Sequence, residues 1–352
     1  MAVDRAHAGK AIRSGSRRAV PVESRRRRTV RADRARGVRP MAVRVIKPGM
    51  LTTVQDSGRW GFQARGVPVA GPMDPFSCRL ANALVGNDRG AAGLEITLLG
   101  PELEFETERV IAVAGAEFDL TLDGRAVPMD APFVASAESR LRFGARRRGA
   151  RAYLAIAGGI ATLPVLGSRS THLISAMGGL DGRALRAGDR LVLGDATHTR
   201  STPPAAPRHV PLPDHQARIR VLPGPQADYF SADSLDVLQS APYVIGQQSD
   251  RMGFRLDGPR LTHARGADII SDATPLGVLQ VPASGLPILL MADRQTTGGY
   301  PKIATVITAD IAVAGQLSPG DAISFVVCTP REALAALIAQ ERALMAVESS
   351  PS

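Results

Sequence analysis

A chain of 352 residues, 44% hydrophobic and of near-zero mean hydropathy, is long enough for two packed domains of ordinary globular composition. No apolar run approaches the roughly 18 to 20 uncharged residues of a membrane-spanning helix; the nearest, residues 285–292, is ended by Asp293, so a soluble chain with no membrane partner is expected. The formal charge of +10 would suit nucleic acid, but residues 1–40 hold 13 Lys and Arg against 3 Asp and Glu, which accounts for all of it and leaves the rest formally neutral.

Residues 1–40 include the run Arg25-Arg26-Arg27-Arg28 and few large apolar side chains. Such a segment cannot offset its ordering entropy and is expected to be disordered. It also lacks the apolar stretch of a secretory signal. Three readings of it stand: an arm for nucleic acid or acidic surfaces, an Arg-rich organelle transit segment, or translated upstream sequence with the true start at Met41. The last is favoured, because patterned sequence begins directly after Met41, and a nucleic-acid partner is disfavoured.

Beyond Met41, Val43, Val45 and Leu51-Thr52-Thr53-Val54 read as β segments about the turn Lys47-Pro48-Gly49. One helix follows: Asp74 is its N-cap, Pro75 its first residue, Phe76, Leu80 and Leu84 recur at helical spacing, and Gly86-Asn87 stops it. Apolar runs then recur at residues 94–99, 110–114, 118–122, 141–143 and 152–157, parted by Gly, Asp and Pro turns, which is an all-β rhythm. Between residues 194 and 218, Pro203, Pro204, Pro207, Pro211 and Pro213 mark a stiff connector. β-type segments resume at 219–222, 269–270, 278–281, 288–291, 306–307 and 323–327, with a short helix expected at 234–239.

The stretch at residues 185–193 matches that at 317–325, each a Gly-Asp turn (Gly188-Asp189, Gly320-Asp321) launching an alternating strand near the end of its half. Two related β-barrel-like lobes are the economical architecture. Thr329-Pro330-Arg331-Glu332 reads as a capping box opening a last helix through Leu334, Leu337, Ile338 and Leu344, which should pack against a lobe. The expected division is a disordered tail at 1–40, a first lobe at 41–195, a Pro-rich linker at 196–217, a second lobe at 218–328 and a helix at 329–346.

No dinucleotide-binding GxGxxG, P-loop, HExxH or GxSxG motif occurs, which removes several reaction classes. Cys78 and Cys328 stand far apart without CxxC spacing, arguing against a disulfide framework and fitting a reducing cytoplasm. Of the histidines, His7 lies in the tail, His198, His209 and His215 in or beside the linker, and His172 and His263 stand alone, so no metal is assigned.

The densest polar cluster runs from Asp293 to Lys302, directly after the apolar strand at 288–291. Its Gly298-Gly299 pair would let backbone approach a small anion or amide, although a solvated hairpin turn is the alternative. Two further clusters, residues 247–255 and 53–59, combine Asp, Arg and Gly and could form an anion clamp, but each alone reads more simply as a structural turn. Gln280 ends a strand, where its side chain could hold an amide through paired hydrogen bonds.

The strings Lys47-Pro-Gly-Met-Leu-Thr-Thr-Val-Gln-Asp56, Gly66-Val-Pro68, Gly71-Pro-Met-Asp74, residues 94–101, Gly224-Pro-Gln226, Ser249-Asp-Arg-Met-Gly253, Gln280-Val-Pro282 and Asp293-Arg-Gln-Thr-Thr-Gly-Gly-Tyr-Pro301 together resemble the allophanate hydrolase subunit 2 family. That family includes the third subunit of bacterial 5-oxoprolinase, KipA, and the carboxyltransferase region of urea carboxylase. The resemblance covers essentially residues 41–327. It implies a mainly β fold of two tandem cyclophilin-like β-barrel lobes with a few short helices. It also implies a KipI-like partner of the subunit 1 type, often a LamB/YcsF-like subunit, and a small-molecule amide substrate.

In that family, such subunits open the 5-oxoproline lactam to glutamate with ATP, and the nucleotide could sit mainly on a partner. The urea carboxylase region instead moves a carboxyl group from carboxybiotin to urea. A KipA-like protein without turnover, antagonising a KipI-like partner, is a third alternative. Because both chemistries polarise an amide carbonyl, the resemblance implies anion-holding roles for Arg294 and Arg251, with Ser249 and Asp250 beside the latter. It implies amide orientation by Gln280 and Gln295, hydrogen-bond donation by Tyr300, an orienting or proton-accepting role for Asp293 or Asp250, and a ligand-facing loop at Thr297, Gly298 and Gly299. Two departures from the family pattern, Ala70 in place of Ser and the absence of His from residues 62–65, put a direct role of the first lobe in doubt.

Overall fold

The computed structural model describes residues 41–196 and 212–349; the tail at 1–40 and most of the Pro-rich connector lie outside the described residues. In the first lobe the apolar runs become one curled nine-stranded sheet. Its spine is the pair Arg109–Leu122 and Arg140–Ile156. Register shifts between Gly115 and Leu120 bend that pair. One end of the longer strand therefore pairs with Glu102–Phe105 and the other with Gly93–Thr97. The concave side holds Val43, Leu94, Phe105, Val113, Leu141 and Leu154, all fully buried.

The second lobe is a closed barrel of seven strands. It closes where Gln216–Pro223 pairs in parallel with Ala322–Val327, residues that start and finish the lobe. Ile219, Phe254, Leu279, Leu289, Ile303 and Phe325 fill its interior. The chain is thus mainly β and two-lobed with a few short helices, as expected, but only the second lobe closes. The strand expected at 269–270 is absent: Ile270 is 94% exposed, and Asp272–Ala273 instead pairs with Thr297–Gly298 as a separate two-stranded flap. The first strand of this lobe also starts at Gln216, inside the expected linker.

The repeated Gly-Asp turns are built alike. Gly188 and Gly320 both take left-handed φ values, 88° and 95°, and Asp189 and Asp321 each accept the amide three residues back, from Arg186 and Ser318. The strands they launch differ, Arg190–Val192 pairing antiparallel with Ala42–Lys47 and Ala322–Val327 parallel with its neighbour.

Among the described residues four helices accompany the sheets: α1 (Pro75–Leu84), α2 (Ser234–Ser240), α3 (Ile311–Gly315) and α4 (Pro330–Glu348). Asp74 caps α1 by accepting the Ser77 amide at 2.9 Å, and Thr329 and Glu332 form the capping box of α4. Helix α4 returns to the first lobe, where Leu344 and Val347 join the core around Leu80 and Leu84 and Glu341 and Glu348 hold Arg79.

The two lobes belong to one compact unit. Gln316, at the end of α3, reaches into the first lobe. Its carbonyl accepts the Ala150 and Arg151 amides at 3.0 Å, and its amide donates to Asp74 at 2.7 Å and to the Arg151 carbonyl at 2.8 Å. Backbone groups that the bend around Gly115 and Gly149 leaves without a strand partner are satisfied from the other lobe.

Candidate functional site

The strand Ile288–Leu290 ends at the boundary between the lobes, and the two residues Asp293 and Arg294 then part company. The Asp293 carboxylate takes both Arg251 Nε and Nη2, at 2.9 and 3.0 Å. Arg251 also donates to the first-lobe Glu95 and, at 2.6 Å, to the Gly71 carbonyl. Glu95 in turn accepts the Met73 amide at 2.8 Å and the Tyr153 hydroxyl at 2.7 Å. Arg251, Asp293 and Glu95 are 5%, 3% and 1% exposed. Burial pulls the Arg251 guanidinium pKa down, but the Asp293 and Glu95 carboxylates outweigh it and hold it raised. Arg251, expected to hold a substrate anion, forms a paired seam joining the lobes and also lines a cavity there.

Arg294 lies on the opposite side of that seam. It is 8% exposed, and its Nε donates to the Thr274 carbonyl at 2.8 Å and its Nη1 to the Met291 carbonyl at 3.4 Å. Among the described residues no carboxylate bonds it. Burial lowers its pKa to about 10 against the opposing pull of Asp293. Arg294 lines two adjoining cavities of about 370 and 320 Å³ between the lobes, both also lined by Trp60, Val69 and Leu276. Ser57, Ala70 and the exposed Arg89 border the first, and Gln63, Thr274 and Gln295 the second. A buried guanidinium open to a cleft and lacking a counter-ion is an anion site by its electrostatics.

The other expected residues of this loop gather behind Arg294. Gln295 Nε2 donates to Gln280 Oε1 at 3.1 Å, Gln280 Nε2 lies 3.5 Å from the Tyr300 carbonyl, and Thr274 Oγ1 donates to the Gln295 carbonyl. Thr297 and Gly298 form one strand of the flap, whose other strand carries Asp272. A Cβ on Gly298 would lie 2.6 Å from Gln280 Nε2, so a larger residue here would push the Gln280 amide aside. Asp272 accepts Lys302 Nζ at 2.6 Å and binds the flap to a lysine that is itself fully buried. Gly299 accepts the Ile269 amide through its carbonyl, and the Tyr300 side chain is exposed.

Ser249 and Asp250 stand apart from this group. Ser249 Oγ accepts the Arg255 amide at 3.0 Å and Asp250 Oδ1 the Met252 amide at 2.8 Å, the bonds of a local turn. With Arg251 and Asp293 they line a third cavity, of about 250 Å³, whose other walls include Met50, Arg151, Leu173 and Ile174, so four of the expected residues meet there. The first-lobe cluster at 53–59 is structural too. Asp56 accepts the hydroxyls of Ser168 and Ser170, each at 2.6 Å, while Arg59 donates to the Val165 and Ser170 carbonyls, both at 2.9 Å. Among the described residues no group of three His, Cys, Asp or Glu is placed to hold a metal ion, and no helix is long and apolar enough to cross a membrane.

A family model described as carboxyltransferase domain, subdomain A and B, matches residues 65–327. The chain belongs to the carboxyltransferase domain family. The C subunit of 5-oxoprolinase from Escherichia coli is 42% identical to it over 84% of this chain and 94% of that protein. The Saccharomyces cerevisiae urea amidolyase is 36% identical over 79% of this chain but only 16% of its own length. Among solved structures, the Kluyveromyces lactis urea carboxylase superposes with a TM-score of 0.82 at 34% identity over 89% of this chain. This chain spans 30% of that urea carboxylase and 20% of the K. lactis urea amidolyase, whose TM-score is 0.83.

The buried Glu95 and Lys302 make ion pairs that the sequence did not disclose, and Trp60 lines both Arg294 cavities. Lys302 had a signal, a lysine opening the otherwise apolar strand Lys302–Val306, and so had Glu95, between Leu94 and Ile96 in a strand buried throughout. Of the two departures in the first lobe, Ala70 is buried with φ 56° beside the cleft, and Gln63 lines it from residues 62–65.

Proposed function

We propose that this chain is the carboxyltransferase-like subunit of a multi-subunit, ATP-dependent 5-oxoprolinase, converting 5-oxoproline, ATP and water to glutamate, ADP and phosphate. The observation that carries the reading is the extent of the match to the E. coli 5-oxoprolinase protein, 94% of its length, whereas the urea amidolyases are matched over a small part of theirs. In this reading two further subunits, one KipI-like and one LamB/YcsF-like, complete the enzyme, which works in the cytoplasm.

The cleft supports it chemically. In this reading Arg294 takes the 5-oxoproline carboxylate, since its guanidinium lines the cleft and its bonds among the described residues are to carbonyls. Gln295, lining the same cavity and steadied by Gln280, orients the lactam amide. The start of α1 beside the cleft is capped by the Asp74 side chain, so its Ser77 amide is not free to bind a phosphate. ATP is therefore assigned mainly to the partner subunits, where it drives ring opening; this chain binds and orients the lactam.

A second reading, biotin-dependent carboxyl transfer to urea or a similar amide, is favoured by the superposition on urea carboxylase. The two are separated by co-purifying the chain with its neighbouring subunits and measuring ADP and glutamate release with 5-oxoproline, with urea in parallel. Turnover of 5-oxoproline without biotin is expected. Turnover only of urea, with biotin and bicarbonate, would overturn the first reading, and an intact complex silent on both would favour a KipA-like regulatory role.

A further inference from the structure

Trp60 is the only tryptophan of the chain, and its side chain is a wall of both cavities that contain Arg294. It is 57% exposed, yet it is not loosely held. Its indole N–H donates to the Ser57 carbonyl at 2.9 Å, and the loop bends at Gly58 and Gly61, with φ of 91° and 92°. Between these glycines the fully buried Arg59 pins the loop to the Val165 and Ser170 carbonyls, and its own amide donates to Val69 at 2.7 Å. A buried arginine thus fixes the backbone from which an exposed aromatic ring covers the cleft.

The cleft then offers three chemistries together: an aromatic face from the first lobe, a guanidinium without a carboxylate partner from the second, and the Gln295 amide. Val69 and Leu276 supply apolar sides. A small, nearly planar ring bearing one carboxylate and one amide meets all of these at once.

Building on the function proposed above, we infer that Trp60 is a substrate-binding residue, a platform against which the lactam ring is held while Arg294 takes its carboxylate. The first lobe therefore contributes to the site directly. Flat apolar contact is made equally in the ground and transition states, so its loss acts on KM and leaves kcat.

The decisive measurement is steady-state kinetics of the assembled complex with Trp60→Ala and Trp60→Phe. Trp60→Ala should raise KM for 5-oxoproline about tenfold with kcat within about twofold, while Trp60→Phe stays near wild type. An unchanged KM in Trp60→Ala overturns the inference and leaves the proposed function standing. Failure of the function itself reads differently, as a wild-type complex without 5-oxoproline-dependent ADP release. In that case the emission of the full chain alone, whose only indole is Trp60, decides. A saturable change with 5-oxoproline, absent with 2-pyrrolidinone at equal concentration, keeps the platform and its carboxylate partner, and no change removes them.

Discussion

Two arginines of the second lobe, Arg251 and Arg294, are almost equally buried and meet opposite electrostatic fates. Arg251 lies between two carboxylates, one from each lobe, and its pKa is raised; Arg294 has only carbonyl partners and its pKa is lowered. Burial of a guanidinium alone therefore says little about function. Nor does the lack of a bonded acid suffice, since Arg59 is also held by carbonyls alone and is structural; Arg294 differs in opening onto the cleft as well.

Substitution at Arg251 breaks this contrast at its strong end. Arg251→Met would leave Glu95 and Asp293 buried without a cation, and a loss of about 3 to 5 kcal/mol in urea denaturation is expected. A variant as stable as wild type would mean that the seam is not what joins the lobes. Arg294→Met removes a buried charge that has no acid partner, so the melting temperature should hold or rise. Turnover of 5-oxoproline by the complex should nevertheless fall about 100-fold, without rescue by Arg294→Lys, because a lysine cannot reproduce the planar fork. Retained turnover would remove the cleft as the site.

The smallest effect expected is at the flap, where Lys302 and Asp272 mix the two situations: a buried cation answered by a half-exposed acid. The Lys302 hydrogen bond, with the Ala273 amide, holds the Asp272 pKa below its usual value. A lowered folded-state pKa means that this tie is fully present above the ordinary carboxylate pKa of about 4 and is lost as pH falls through the depressed value. The protection factor of the Gly298 amide, the intrinsic exchange rate divided by the observed rate at the same pH, should therefore be high at neutral pH and fall only in that acid range. In Asp272→Asn it should be low at neutral pH, and an unchanged factor there would show that backbone pairing alone holds the flap.

Local chemistry was legible in the sequence where its cause is local. The caps of α1 and α4, Asp74 and Thr329 with Glu332, act within three residues and could be read directly. The polar loop from Asp293 to Lys302 also announced itself, with Arg294 within it. The pairing of its Asp293 with Arg251 and Glu95 did not, because Glu95 lies 156 residues from Arg251 in the other lobe. A barrel was expected for the second lobe, but the parallel pairing that closes it was hidden for the same reason, resting on strands at the two ends of the lobe. Trp60 carried no pattern at all, since a single exposed aromatic in a loop is ordinary until the opposite wall of the cleft is known.

The Gln316 side chain has a mechanical consequence. It stands in for a missing backbone partner in the first lobe while its own chain belongs to the second. Swivelling one lobe against the other would strip that partner from the bend at Gly149, so the lobes should behave as a single girder rather than as jaws. Entry to the cleft then falls to a small part, the Asp272 flap, and separately expressed halves would each display polar backbone that the intact chain keeps covered.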